Sequence, residues 1–402
     1  MTDNKILEIT PDVKWIGVLD PDIRTFDIVM ETQFGSTYNS YFINATKKVI
    51  VDTVKEKFWE VYLAKLLAVV KPEEIEYIII NHTEPDHSGN LENLLKIAKN
   101  AKVVGSGNAI RYLLDLIGHE FQHLIVKDGD KIDLGNKTLQ FIGAPNLHWP
   151  DTMYSYLVED KVLFTCDSFG AHYCNPEMYC DKVGDYDESF KYYFDVIMKP
   201  YSKFMLKGIE KIRPLEIAAL CTGHGPLHTT NWDRYIGLTQ KYATEALAKP
   251  EKHKIALFYV SAYHNTEKVA HKIIEGIKTT DIEVEMYDIE KMPPAEIDEI
   301  ITNSTAIIIG SPTISQNTFY QIYNVFAVIN PIRDRGKLYG SFGSYGWSGE
   351  GPKIVDVVLT SLKLKKFAEP FTFKFTAYDE VNDFAVDYGK RFAEACVKYC
   401  LA

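Results

Sequence analysis

The stretch that most constrains this chain is Asn81-His82-Thr83-Glu84-Pro85-Asp86-His87. It follows the apolar run Tyr77-Ile78-Ile79-Ile80, which reads as a buried strand. Pro85 opposes a regular helix across the segment, so the expectation is a loop at a strand end. His82, Glu84, Asp86 and His87 crowd two imidazoles and two carboxylates into six positions. Such crowding is costly unless a cation binds, and a pair of metal ions turns the repulsion into coordination. A polar loop without metal is the other reading of this stretch taken alone.

Ligand-type residues recur downstream. His148 stands in Leu147-His148-Trp149-Pro150-Asp151, Asp167 follows the strand-like run Val162–Cys166, and His224 lies in Cys221-Thr222-Gly223-His224-Gly225-Pro226. The glycines flanking His224 allow backbone to pass close to a metal centre. Any one of these alone reads as a core or surface residue, but four strand ends delivering the same kind of side chain form a constellation. Asp52, after Lys48-Val49-Ile50-Val51, fits equally a carboxylate that orients a metal-bound histidine and a simple cap or turn residue. His119-Glu120-Phe121-Gln122-His123 matches the H-E-x-x-H pattern, whose chemistry needs both imidazoles one helical turn apart. Gly118 stops the helix expected over 109–117, and a strand-like run follows, so exposed or half-buried histidines are expected there instead. The other elements of this half are strands over 15–19, 38–43, 102–105 and 154–158, helices over 55–70 and 91–98, and a hairpin around Gly135-Asn136.

At 402 residues the chain has room for two domains. A formal net charge of −11 argues against nucleic-acid and anionic-membrane binding. Met1-Thr2-Asp3-Asn4-Lys5 opens without a signal-peptide pattern, and no apolar run approaches a membrane span. The six cysteines form no C-x-x-C pair and no set spaced for an iron–sulfur site, so a reduced, cytoplasmic protein is expected.

The pattern changes after the polar, proline-containing stretch 247–252, giving expected domains over 1–250 and 254–402. A buried strand over 254–260 runs into Ser261-Ala262-Tyr263-His264-Asn265-Thr266 and then an amphipathic helix. A hydroxyl- and amide-rich loop at a helix N-terminus is a phosphate cradle, and without three glycines it is not the dinucleotide fingerprint. Further strands are expected over 282–287, 306–310, 338–342 and 371–375, alternating with helices in a five-stranded, doubly wound parallel sheet. Ligands of such sheets sit at the carboxyl ends of strands. The loops there are Ser311-Pro312-Thr313-Ile314-Ser315-Gln316-Asn317 and Gly343-Ser344-Tyr345-Gly346-Trp347-Ser348-Gly349. Tyr345 and Trp347 offer flat rings for stacking.

The first half resembles the metallo-β-lactamase fold, an αββα sandwich whose hydrolases carry His-x-His-x-Asp-His and usually bind zinc. Here the motif reads His82-x-Glu84-x-Asp86-His87. Glu84, Asp86 and Asp167 add hard anionic oxygens to four imidazoles, a donor set that suits iron. The second half resembles flavodoxin and implies FMN, held by Ser261, Ala262, Tyr263, His264, Asn265, Thr266, Ser311, Pro312, Thr313, Ile314, Asn317, Ser344, Tyr345, Gly346 and Trp347. Together the halves resemble the flavodiiron proteins. The resemblance implies that His82, Glu84 and His148 bind one iron, that Asp86, His87 and His224 bind the other, and that Asp167 bridges them. These seven residues would carry the catalysis. In some members the counterpart of His87 is turned away from the metal. The implied reaction is reduction of dioxygen to water, of nitric oxide to nitrous oxide, or both. Electrons would pass through FMN from a separate donor, a rubredoxin-type protein or a reduced deazaflavin. The implied assembly is a head-to-tail homodimer or a dimer of dimers. The rival readings are a metal hydrolase of the same fold with a flavodoxin domain, which Glu84 argues against, and a flavin carrier with a vestigial metal site, which the complete ligand set argues against.

Overall fold

The computed structural model describes residues 5–27, 30–248 and 253–400. Residues 249–252 of the expected linker, and the opening residues 1–4, lie outside the described residues. The chain divides into two compact units, Met1–Ala248 and Lys249–Ala402.

In the first unit a seven-stranded sheet runs in the order Leu7–Thr10, Val13–Trp15, Tyr41–Ile43, Lys48–Val51, Ile75–Ile79, Lys102–Gly105 and His123–Ile125. A five-stranded sheet of Lys131–Asp133, Thr138–Gly143, Met153–Leu157, Val162–Cys166 and Ala219–Thr222 packs against it. The core between them joins Val49, Val51, Tyr77 and Ile79 of one sheet to Phe141, Leu157, Phe164 and Cys221 of the other. Alternate residues Ile50, Ile78 and Ile80 face outward onto Tyr62, Leu66, Leu94 and Leu113 of the covering helices. Both faces of the run 77–80 are therefore apolar, which is why it lacks polar alternation. Helices Ser202–Ile212 and Trp232–Leu247 lie along the outer side of the second sheet.

Two strands expected to be continuous are broken. The stretch 15–19 splits into Val13–Trp15 and Val18–Asp20, and 38–43 splits into Ser36–Tyr38 and Tyr41–Ile43. Gly17 sits at the first break, where a Cβ would lie 2.3 Å from the Tyr38 carbonyl oxygen. Gly118, at φ +76°, ends the helix Gly107–Ile117, and the exposed His119 and His123 follow outside any helix.

The second unit is a parallel sheet in the order Glu283–Asp288, Lys254–Tyr259, Ala306–Gly310 and Leu338–Tyr345. Where one edge strand over 371–375 is expected, two short strands, Lys365–Lys366 and Phe371–Lys374, share the far side of Leu338–Tyr345. Helices Asn265–Ile277 and Asp379–Cys400 cover one face, and Pro294–Thr302, Tyr320–Val328 and Glu350–Ser361 the other. Among the described residues no helix is long and apolar enough to cross a membrane.

Candidate metal centre and cofactor cleft

Strand ends of the first unit deliver a cluster of titratable side chains. His82 and Glu84 follow Ile75–Ile79, Asp167 follows Val162–Cys166, and His224 follows Ala219–Thr222. His148 comes from the loop before Met153–Leu157. The segment expected to be an open loop instead forms a short helical turn, Pro85–Ser88, with Glu84 as its cap residue. Proline is accepted at the first helical position because its missing N–H would be unpaired there anyway. The turn carries Asp86 and His87, and the Thr53 N–H and hydroxyl hold the His87 carbonyl at 2.6 and 2.8 Å.

Two groups emerge. One ligand-type atom from each of His82, Glu84, His148 and Asp167 lies within 4.8 Å of the others, and the same holds for Asp86, His87 and His224. Asp167 stands between them. Its Oδ2 is 3.5 Å from His82 Nε2 and 3.4 Å from His148 Nε2. Its Oδ1 is 2.9 Å from His87 Nε2 and 3.4 Å from His224 Nε2. Glu84 Oε2 lies 3.2 Å from His82 Nε2 and 2.9 Å from His148 Nε2, and Asp86 Oδ2 lies 3.0 Å from His224 Nε2.

The outward-facing nitrogens of two imidazoles are pinned. His82 Nδ1–H donates to Asp151 Oδ2 at 3.2 Å, and the same oxygen accepts from the Thr83 N–H and hydroxyl at 2.8 and 2.9 Å. His224 Nδ1–H donates to the Thr37 carbonyl at 2.6 Å. Each bond fixes the tautomer and turns Nε2 toward the cluster. Asp151 was not singled out from the sequence as a functional residue. Its partner lies 69 positions away, a pairing no local spacing announces. Asp52 is the turn residue of its two readings: at φ +53° it accepts the Asn81 N–H at 2.7 Å and its side-chain amide at 3.1 Å, anchoring the start of the His82 segment. Two further buried groups also went unnoticed in the sequence. The Tyr193 hydroxyl donates to Asp167 Oδ1 at 3.2 Å, and His172 packs its ring 5.0 Å from that of His224.

The electrostatics are those of a cation site. Burial opposes a charge on His82, His148 and His87, yet the surrounding carboxylates push the first two up to about 10 and His87 up to about 9. Burial also opposes the charges of Glu84 and Asp167, and the neighbouring imidazoles hold both well below the usual carboxylate range. Asp86 Oδ1, Asp167 Oδ2 and His87 Nδ1 are buried and take no hydrogen bond. Unsatisfied polar atoms of this kind cost about 1–3 kcal/mol each, a penalty that metal coordination removes. The carboxylate–imidazole donor set fits a pair of hard-to-borderline metal ions such as iron.

In the second unit, loops at the strand ends line a cleft of about 320 Å³. Of the residues singled out from sequence, Ser261, Ala262, Tyr263, Asn265, Pro312, Thr313, Ile314, Ser344, Tyr345, Gly346 and Trp347 line it. The other four do not: His264 pairs with Glu267, Thr266 Oγ1 bonds Ser344 Oγ, Ser311 Oγ accepts from Thr318, and Asn317 Oδ1 accepts from Tyr323. Ser315 and Phe375 join the lining, Phe375 from the end of the split edge strand. Hydroxyls and the N-terminus of Asn265–Ile277 offer donors to a phosphate without any lysine or arginine in the lining. Tyr263 and Trp347 are 79% and 78% exposed. Large rings left in water beside a neutral cleft fit a planar aromatic ligand such as a flavin.

Known proteins share both halves. Residues 37–225 match the family model described as ODP family beta lactamase, and residues 257–385 match the flavodoxin model. The flavo-diiron protein FprA2 of Clostridium acetobutylicum is 37% identical, over 97% of this chain and 99% of its own. The solved rubredoxin oxygen:oxidoreductase of Desulfovibrio gigas superposes with a TM-score of 0.73 at 27% identity, covering 99% of this chain and 100% of its own. The flavodiiron protein of Giardia intestinalis gives a TM-score of 0.69 at 28% identity, over 99% and 98% of the two chains. A β-lactamase-like unit bearing a carboxylate–histidine cluster, followed by a flavodoxin unit, places this chain in the flavodiiron family of di-iron flavoprotein oxidoreductases.

Proposed function

We propose that this chain reduces dioxygen to water, nitric oxide to nitrous oxide, or both, at a non-haem di-iron site in residues 1–250. Electrons arrive through FMN held by residues 254–402. The observation that carries this reading is Asp167, whose two carboxylate oxygens each face a different histidine–carboxylate group. His82, Glu84 and His148 would hold one iron, Asp86, His87 and His224 the other, with Asp167 shared. When bound, two ferrous ions and reduced FMN supply electrons for reduction of a small diatomic gas.

The chain's own residues prepare that chemistry. Asp151 and the Thr37 carbonyl keep protons on the outer nitrogens of His82 and His224, so the inner nitrogens stay free to ligate. Burial, followed by the Asp167 charge, pushes the Tyr193 phenol far up, so it stays a protonated donor beside Asp167 Oδ1. Rings of Phe26, Tyr38, Trp149 and Tyr201 pack on the ligand histidines and limit water access. The exposed apolar rim of the flavin cleft, which includes Tyr263, Trp347 and Phe375, supports docking of another protein surface there. A rubredoxin-type donor or a reduced deazaflavin supplies the electrons. A head-to-tail homodimer, alone or paired into a dimer of dimers, brings the flavin of one subunit to the irons of the other.

The deciding experiment measures metal and flavin content and anaerobic turnover on one preparation, with rubredoxin as donor and each gas offered separately. The expected result is about two irons and one FMN per chain with consumption of at least one gas. Zinc in place of iron, with neither gas consumed while the flavin is reduced, would return the chain to the hydrolase reading.

A further inference from the structure

A third donor set overlaps the two already described. Cys166 Sγ, one nitrogen of His87 and one oxygen of Asp167 lie within 4.8 Å of one another, and all three residues are buried. Cys166 sits at the end of Val162–Cys166 with φ +47°, and the same strand end directs Asp167 into the cluster. One polar atom here lacks a hydrogen bond, His87 Nδ1 on a fully buried ring, while Asp167, only 2% exposed, turns Oδ1 to within 2.9 Å of His87 Nε2. The His87 ring meets no outer partner comparable with Asp151 or the Thr37 carbonyl. It borders Gly223, where a Cβ would lie 2.7 Å from His87 Cε1 and 3.0 Å from the Cys166 carbonyl carbon. Its backbone is held but its ring is not pinned on the outer side.

We propose that Cys166, His87 and Asp167 form an alternative site for a single thiophilic divalent cation, Zn²⁺ or Cd²⁺. Sulfur, imidazole and one carboxylate, with water completing the shell, are a borderline-soft donor set, whereas the two flanking groups hold only oxygen and nitrogen. Binding exchanges the thiol proton for the metal: the S–H bond breaks, the S–metal bond forms, and the proton leaves to solvent with no change of oxidation state. Because the site borrows His87 from one iron group and Asp167 from both, a thiophilic ion there excludes a full pair of irons. The inference rests on the reading of His87 and Asp167 as metal ligands.

The test uses full-length, flavin-loaded protein, both iron-loaded and after removal of iron by chelation, titrated with Cd²⁺. The expected result for the metal-depleted protein is an ultraviolet thiolate-to-cadmium charge-transfer band saturating at one ion per chain. In Cys166→Ser and in Cys166→Ala the band is lost. Cd²⁺ affinity then falls by at least the roughly 10–100-fold that loss of an outer hydrogen-bond partner costs a metal site. Iron-loaded wild-type protein loses iron to Cd²⁺ faster than either variant does. An unchanged band in both variants, or no band in the wild type, overturns the proposal. If the protein holds two irons yet shows no such band, only this inference fails. If it binds no iron and His87→Ala leaves metal content unchanged, the ligand reading beneath it fails as well.

Discussion

The metal cluster of the first unit is buried and densely charged, whereas the cleft of the second is open and lined without a charged side chain. In the cluster, each ligand charge is balanced by another a few ångströms away, and Asp151 and the Thr37 carbonyl fix ring orientation from behind. In the cleft, the loop hydroxyls of Ser261 and Thr313 accept from backbone N–H groups, Ser344 bonds Thr266 behind the lining, and the large rings stand in solvent. The contrast follows from what each site must hold. A small multivalent ion demands fixed, desolvated ligands, since misplacement of one donor leaves a buried charge unpaired. A flat, extended ligand is held by many weak contacts, none of which must be placed as tightly.

That contrast can be broken most directly in the cluster. Asp167→Ala should remove the carboxylate shared by both groups, abolishing gas turnover and iron retention while FMN stays bound. Metal analysis beside the flavin absorbance reads this, and retained iron with normal turnover would refute the shared-ligand assignment. His148→Ala should behave likewise with loss centred on one iron. A smaller effect is expected at Asp151. Asp151→Asn keeps the size but loses the charge behind His82, so iron affinity should fall roughly 10–100-fold, as seen when such outer partners are removed. Chelator competition measures it, and an unchanged affinity would separate the Asp151–His82 bond from metal holding.

The metal-depleted protein should also show a pH signature that the cleft lacks. His82, His148 and His87 titrate near 10, 10 and 9 in the folded state, above the ordinary histidine value of 6.5. Their charged forms therefore stabilise the fold fully below the unfolded value, and this contribution disappears as pH rises through 9 to 10. Denaturant unfolding of the iron-free protein should show declining stability between pH 7 and pH 10, with a shallower decline in the iron-loaded protein. Parallel curves for the two forms would show that protons do not substitute for metal. The smallest effect is expected in the cleft. Trp347→Ala should remove a stacking surface worth about 0.5–1.5 kcal/mol, a few-fold loss in FMN affinity, with iron content unchanged. Equal flavin affinity would take Trp347 out of the site.

The seven cluster residues stood out in the sequence because polar, ligand-type side chains at the ends of apolar strands are conspicuous locally. The same held for eleven of the residues now lining the cleft, since phosphate and ring sites of doubly wound sheets fall at predictable strand ends. Local pattern failed where the decisive partner is remote or the backbone departs from its element. Asp151 meets His82 across 69 positions. Pro85 begins a helical turn instead of preventing one, because its position in the helix, not its presence, sets the cost. Phe375 reaches the cleft just past the end of Phe371–Lys374, where the backbone turns to φ +54° with the Phe375 N–H on the Tyr345 carbonyl.

The sequence by itself determined the order of elements, the change from sandwich to doubly wound sheet, and the chemical character of each site. These depend on hydrophobic period and residue type, which are local. Only the tertiary structure decided that Asp167 faces two groups at once, that Asp151 and not Asp52 stands behind the His82 ring, and that Cys166 comes within reach of His87. Those facts depend on how distant strand ends converge, which is fixed by packing of the two sheets and is written in no single stretch of the chain.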